Sequence, residues 1–251
     1  MGWVMRVEIL GPPQVRDAQG RVTRIGGSRL RAVLVRLARD AGQPVSAEAL
    51  YEAVWPEGDG PADPGHALHA LASRLRRLLP EGAELSAAPG GYRLQLPDGA
   101  VDAHQFERLV REGQRALADG RHGAAAETLR EALALWRGEP FGGMPGMTAA
   151  AARLEELRLS AVEDRIAAEL PERGGELVAE LRELTAAHPL RERAHALLMR
   201  ALCADGRTAQ ALGVHEEIRR RLADELGTDP GADLHRAHQT ALHTAGPPEP
   251  P

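Results

Sequence analysis

Pro64-Gly65-His66-Ala67-Leu68-His69-Ala70-Leu71-Ala72-Ser73-Arg74-Leu75-Arg76-Arg77-Leu78-Leu79 is the stretch on which the fold turns. At about 100° per residue, Leu68, Leu71, Ala72, Leu75, Leu78 and Leu79 gather on one face, whereas His66, Ala70, Ser73 and Arg77 lie opposite, flanked by His69, Arg74 and Arg76. Asp63 suits an N-cap and Pro64 the first helical position, so a helix starts here and is expected to run to about Leu79. It has a dry face to pack and a cationic face to present.

Upstream, Ser46 caps a helix holding Ala49, Leu50 and Val54 that stops at Trp55-Pro56. Ser28 is placed to cap an earlier helix carrying Leu30, Val33, Leu34 and Leu37 that stops at Gly42. These two are expected to stand a tight turn apart, and 57–65, rich in Gly, Pro and Asp, reads as a loop. Before them, 6–10, 14–17 and 22–25 alternate or flank turns, the pattern of a small antiparallel sheet. Downstream, 84–87 and 92–96 around Pro89-Gly90-Gly91 read as a hairpin. Sheet, helix, helix, loop, helix, hairpin is the order of a winged helix-turn-helix, closed by the polar breaker Pro97-Asp98-Gly99. In such a domain the third helix enters the major groove of double-stranded DNA, where outward arginines reach guanine edges or phosphates. A basic residue on the hairpin, here Arg93, adds a phosphate contact.

From Val101 the pattern is helical throughout, with helices expected at 103–118, 122–137, 148–170, 173–187, 191–204, 208–226 and 231–244. Ala118-Asp119-Gly120-Arg121 recurs as Ala204-Asp205-Gly206-Arg207, each followed four residues later by an alanine (Ala125, Ala211). A shared turn with a small residue in the next helix suits antiparallel helix pairs of the tetratricopeptide kind. The fold class expected is therefore mainly α. An N-terminal α+β winged helix-turn-helix (1–98) precedes an all-α tetratricopeptide-like array (99–245) and a disordered Pro-rich tail (246–251).

Composition narrows the chemistry. All 31 basic residues are arginine, and the absence of lysine excludes a Walker-type phosphate loop, a Schiff base and a Ser-Lys pair. The net charge of −5 looks unsuited to nucleic acid, but it divides: residues 1–98 hold 12 Arg against 11 acids, and the remainder 19 against 25. Arginine placement, not number, must carry any DNA binding. No run reaches the roughly 18 apolar residues of a membrane span, and the start lacks a signal-peptide pattern, so a cytoplasmic protein without membrane contact is expected.

Other groups read as structural. Cys203, the lone cysteine, lies in an apolar helical stretch and is expected to be a buried, inert thiol. His66/His69 and His235/His238 lack the further ligands a metal needs, and the adjacent acids Glu155-Glu156 and Glu216-Glu217 diverge on a helix and cannot share a reacting atom. Trp136 reads as a core anchor. No enzyme, cofactor or metal is expected.

The strings Arg29–Leu34, Pro44-Val45-Ser46 with Ala53-Val54-Trp55, Ser73–Leu79 and Gly90-Gly91-Tyr92-Arg93-Leu94 resemble the OmpR/PhoB-type DNA-binding domain. Val101-Asp102 with Phe106, Leu135–Pro140, Arg153–Arg158, His188–Glu192, Leu198–Leu202 and Asp224–Gly231 resemble the bacterial transcriptional activation domain. Over nearly the whole chain the two together resemble the Streptomyces antibiotic regulatory protein family. The resemblance implies an activator of a secondary-metabolite gene cluster that binds direct repeats in promoters, with a homodimer on DNA as one arrangement, and recruits RNA polymerase. It implies that the loop from Trp55 to Gly65 faces polymerase or sigma factor. Candidate DNA contacts are Arg77, Arg74, Ser73, Arg76, His69 and Arg93, with Arg29 and Arg31 at the start of the first helix. A second reading is a tetratricopeptide-like scaffold whose first domain has lost DNA binding, suggested by the near-neutral first domain and the alanines of the third helix.

Overall fold

The computed structural model describes residues 5–58 and 60–244; the expected tail at 246–251 lies outside them. Strands β1 (Arg6–Glu8), β2 (Gln14–Arg16) and β3 (Val22–Arg24) form an antiparallel meander with Val7 opposite Val15 and Val15 opposite Thr23. Helix α1 (Ser28–Arg39), strand β4 (Pro44–Ser46) and helices α2 (Ala47–Val54) and α3 (Pro64–Arg76) come next, then strands β5 (Glu84–Ala88) and β6 (Gly91–Gln95). The caps at the second and third helices form as expected: Ser46 Oγ accepts from Ala49 N at 3.1 Å, and Asp63 Oδ1 from His66 N at 2.9 Å, with Pro64 in the first turn. Ser28 does not cap. Gly27 holds the N-cap position at φ 82° and Ser28 is already helical.

The turn between α1 and α2 holds a strand that alternation could not reveal. β4 pairs with β6, giving a second three-stranded sheet in the order β4-β6-β5. Pro44, which has no N–H to donate, opens an edge strand, the place a sheet tolerates it. Close approach of β4 and β6 fixes Gly91: a Cβ there would lie on the Val45 carbonyl oxygen. Gly91→Ala is expected to cost about 1–3 kcal/mol through overpacking of this sheet, read as a lowered midpoint in chemical denaturation; an unchanged midpoint would show that the strands can separate freely.

Val101–Asp102 ties the meander to the next helix. Val7 N donates to Ala100 O at 2.8 Å and Val7 bridges Val101 in parallel. Asp102, 2% exposed, opens α4 (Asp102–Ala118) and its carboxylate accepts from Ile9 N (2.7 Å), Leu10 N (3.0 Å) and Ala103 N (2.8 Å). The helix after it, α5 (His122–Leu133), ends short of the expected 137, because the chain tightens into i→i+3 turns at 135 and 136 and Arg137 N is taken by Leu10 O. Phe141, fully buried in a 3-10 turn with φ 60°, donates its N–H to Ile9 O. Trp136 anchors edge-on against Phe106 at 5.3 Å, with Arg158 over its other side at 4.8 Å.

Tertiary contacts separate two compact units: residues up to Glu112 with Arg130–Leu159, and Gly113–Leu129 with residues from Ser160 onward. The first of these units runs past the breaker at 97–99, where the Asp102 carboxylate joins Ile9 and Leu10 to the start of α4. α6 (Thr148–Arg173) runs through Pro171, expected to end it; in the last turn the ring forfeits one hydrogen bond without breaking the helix. In the second unit, α7 (Val178–Ala187) packs on α8 (Glu192–Ala204), and α8 on α9 (Thr208–Leu226) and α10 (Ala232–Thr244), around Leu181, Leu197, Leu202, Ile218, Leu222 and Leu234. The repeated tetrapeptide makes the same turn twice. Gly120 (φ 73°) and Gly206 (φ 71°) take the left-handed conformation, Arg121 N reaches Ala116 O and Arg207 N reaches Leu202 O, and Ala125 and Ala211 are fully buried beyond it.

Candidate nucleic-acid interface

α3 is placed by its dry face. Leu68, Leu71, Ala72 and Leu75 are buried, and α3 packs on α1, α2 and β5. It ends at Arg76, with Arg77 as its C-cap, so Leu78 and Leu79 leave the helical face and lie half-buried in the turn beyond. The opposite face is solvent: His66, His69, Ala70, Arg74, Arg76 and Arg77 are exposed and Ser73 half-buried. The 13 residues of α3 contain no Asp or Glu.

Ion pairing separates the arginines by region. Among the described residues, Arg6, Arg24, Arg29, Arg31, Arg74, Arg76, Arg77 and Arg93 have no carboxylate within ion-pair distance, whereas Arg16, Arg21, Arg36 and Arg39 do. In the second unit the buried acids Glu163, Asp164 and Glu169 are each neutralised by arginine, with Arg191 on Glu163 at 2.8 Å and Arg173 on Glu169 at 3.0 Å. A cation without a local partner keeps its full attraction for an external anion, so the unpaired set marks where phosphate would be drawn.

The candidate residues divide by position. Arg29, exposed in the first turn of α1, lies 5.7 Å from the Trp55 ring centroid and shares with Arg74 an open cleft of about 520 Å³, floored by Leu30, Trp55, Ala67, Ala70 and Leu71. Small side chains at 67 and 70 leave this space open. Arg31 is half-buried with its Nε buried and unbonded. Arg93 is not at the hairpin tip: it sits in β6, the central strand, opposite Pro44 and Ser86, half-buried and with its Nε likewise unbonded. Arg76 spends its Nε on the carbonyl of Leu85, 2.7 Å away. Sequence reasoning missed Trp55 as a brace for Arg29 and Arg24 as a free cation; alternation in β3 pointed to Arg24, but nothing short of the fold brings Trp55 to Arg29.

The loop after α2 is held from below. Tyr51 and Trp55 pack at 5.1 Å, and Gly60 lies so close to the Tyr51 ring that a Cβ there would overlap it. Among the described residues no helix is long and apolar enough to cross a membrane, and no group of three or more His, Cys, Asp or Glu is arranged to hold a metal ion. Cys203 is partly buried, which raises its thiol pKa and disfavours the reactive thiolate.

A winged helix-turn-helix whose third helix carries arginines without a carboxylate partner among the described residues, followed by a helical array, is the architecture of a transcriptional regulator. Residues 101–242 match the bacterial transcriptional activator domain. The chain is 40% identical over 243 residues to the regulatory protein AfsR of Streptomyces coelicolor, covering 95% of this chain and 24% of that one. It is 35% identical to the regulatory protein DnrI of Streptomyces peucetius, covering 95% and 92%. A solved structure of Mycobacterium tuberculosis EmbR in complex with a low-affinity phosphopeptide superposes with a TM-score of 0.88 at 32% identity, covering 95% of this chain and 65% of that one. The chain belongs to the Streptomyces antibiotic regulatory protein family.

Proposed function

We propose that the chain is a sequence-specific transcriptional activator of a secondary-metabolite gene cluster, reading promoter direct repeats in double-stranded DNA and recruiting RNA polymerase. One observation carries the reading: the acid-free outer face of α3 presents arginines that no carboxylate of the described residues neutralises. Arg74 and Arg77 are its base-reading or phosphate-binding groups, with His69 and Ser73 beside them, Arg29 reaching the backbone from the cleft, and Arg31 and Arg93 in reserve behind them. The loop from Trp55 to Gly65, held against Tyr51, is the surface offered to polymerase or sigma factor. Such a protein acts in the cytoplasm, and repeated operator sequence favours paired copies on DNA. The names of its relatives support regulation of transcription.

Arg74→Ala is expected to weaken binding to its preferred duplex roughly tenfold to hundredfold, from about 1–3 kcal/mol for a base contact, and to relax discrimination at that base. Gel shifts at two salt concentrations measure it. Wild-type protein that shows no salt-sensitive binding to any duplex would favour the second reading, a helical interaction scaffold for which the alanines of α3 are merely surface.

A further inference from the structure

The three arginines at the end of α3 look equivalent in sequence, yet Arg76 is used differently. Its Nε donates to the Leu85 carbonyl at 2.7 Å, whereas Arg74 and Arg77 have no partner among the described residues. Leu85 lies in β5, an outer strand of the β4-β6-β5 sheet, and is buried opposite Leu94. The acceptor is therefore backbone in the body of the wing, nine residues along the chain and across the turn at 77–83 that joins α3 to β5. A side-chain bond to main chain here adds a directional polar tie between the third helix and the wing to the apolar packing of α3 on β5. It also covers part of an exposed sheet edge.

The structure assigns Arg76 the role of a positioning residue: a strut that fixes the wing relative to α3, not a reader of bases. Its residue is exposed and Nε alone is occupied, which leaves both Nη groups for a phosphate. An ammonium could not serve both ends, because it lacks the guanidinium's rigid fork. The phosphate half of this role rests on the DNA-binding reading above; the strut does not.

Two variants of the full chain separate the functions. Glutamine carries its amide nitrogen the same number of bonds from Cα as arginine carries Nε, so Arg76→Gln keeps the strut's donor and loses the cation. Arg76→Leu loses both. Without DNA, hydrogen exchange of the backbone at 84–95 is expected to quicken about fivefold in Arg76→Leu, the worth of one hydrogen bond, to stay within about twofold of wild type in Arg76→Gln, and to be unchanged at 28–39 in both. On 30-base-pair duplexes selected from a random pool by the wild-type chain, Arg76→Leu should lose hydroxyl-radical protection at the flank beside the major-groove site and keep guanine methylation interference. Arg76→Gln should keep the flank and lower the salt slope by about one. Wild-type exchange at 84–95 in Arg76→Leu, quickened exchange in Arg76→Gln, or loss of guanine interference in Arg76→Leu would overturn the assignment. If Arg76→Leu does not fold, Arg76→Gln decides by the same exchange criterion. If the wild type selects no duplex, the DNA reading falls and the exchange result still judges the strut.

Discussion

Asp102→Ala is expected to cost about 3–5 kcal/mol of folding free energy in the first unit, a large share of the 5–15 kcal/mol that ordinarily holds a domain together. The size reflects the donors that the carboxylate satisfies. Ile9 N and Leu10 N come from buried residues, and each unmade hydrogen bond to a buried donor costs roughly 1–3 kcal/mol. Ala103 N loses its partner as well. Arg137, 3.8 Å from Asp102 and 3.7 Å from Glu8, would be left with one acid instead of two. Asp102→Asn should fall between, because its amide offers one acceptor and sets a donor against a donor. Guanidinium denaturation followed by tryptophan fluorescence measures both variants. An alanine variant within about 1 kcal/mol of wild type would mean that the β1 backbone finds other partners and that the tie between meander and α4 is incidental.

That tie also shows where sequence stops being legible. Local rules found the helices, because caps and periodicity are written in adjacent residues: Ser46 and Asp63-Pro64 start α2 and α3 as read, and Ala-Asp-Gly-Arg turns the chain the same way at 120 and 206. Asp102 and Arg137 were visible only as residues of a family pattern, since the backbone partners of Asp102 lie at the end of β1, more than ninety residues away. β4 was hidden by its length and its proline. Ser28 misleads because the helix starts one residue earlier than its hydroxyl could cap: Gly27 holds the N-cap position at a positive φ that glycine tolerates, and no side chain caps the helix. At the candidate interface, helical spacing gave the exposed face of α3 correctly but could not rank its arginines. Arg76 differs from Arg74 and Arg77 through a single backbone carbonyl on another strand, and Arg93 lies inside a sheet instead of at its tip because β4 makes β6 a central strand. Periodicity assigns a residue to a face; pairing partners far along the chain decide what it does there.

Acidification from pH 7.5 to 5.0 is expected to move the two units' stabilities in opposite directions. Burial pushes the Asp102 carboxyl up to about 6 from the usual 3.8, against the hydrogen bonds from Ile9 and Leu10 that favour its charged form. The folded state therefore holds the proton more tightly than the unfolded chain between about 4 and 6. Stability from this group falls as pH rises through that window and returns on acidification, by up to about 3 kcal/mol over its full width. Glu8 does not offset this: burial works against its charge, but Arg16, Gln14 and Arg137 hold its carboxyl low, so its contribution is lost only below the usual carboxylate range. The second unit contains His195 and His215, both lowered by burial, His215 further by His238, whose ring stacks on it at 3.8 Å. For these the unfolded chain binds protons more tightly below about 6.5, so stability is present above that pH and declines as pH falls. Trp55 and Trp136 report the first unit and the second has no tryptophan, while far-UV dichroism is dominated by helix in both. The fluorescence midpoint in denaturant should rise relative to the dichroism midpoint at pH 5.0, Asp102→Asn should abolish the rise, and His215→Phe should flatten the decline. Parallel movement of both midpoints, or a fluorescence shift that survives Asp102→Asn, would refute the assignment of these opposing slopes to Asp102 and the buried histidines.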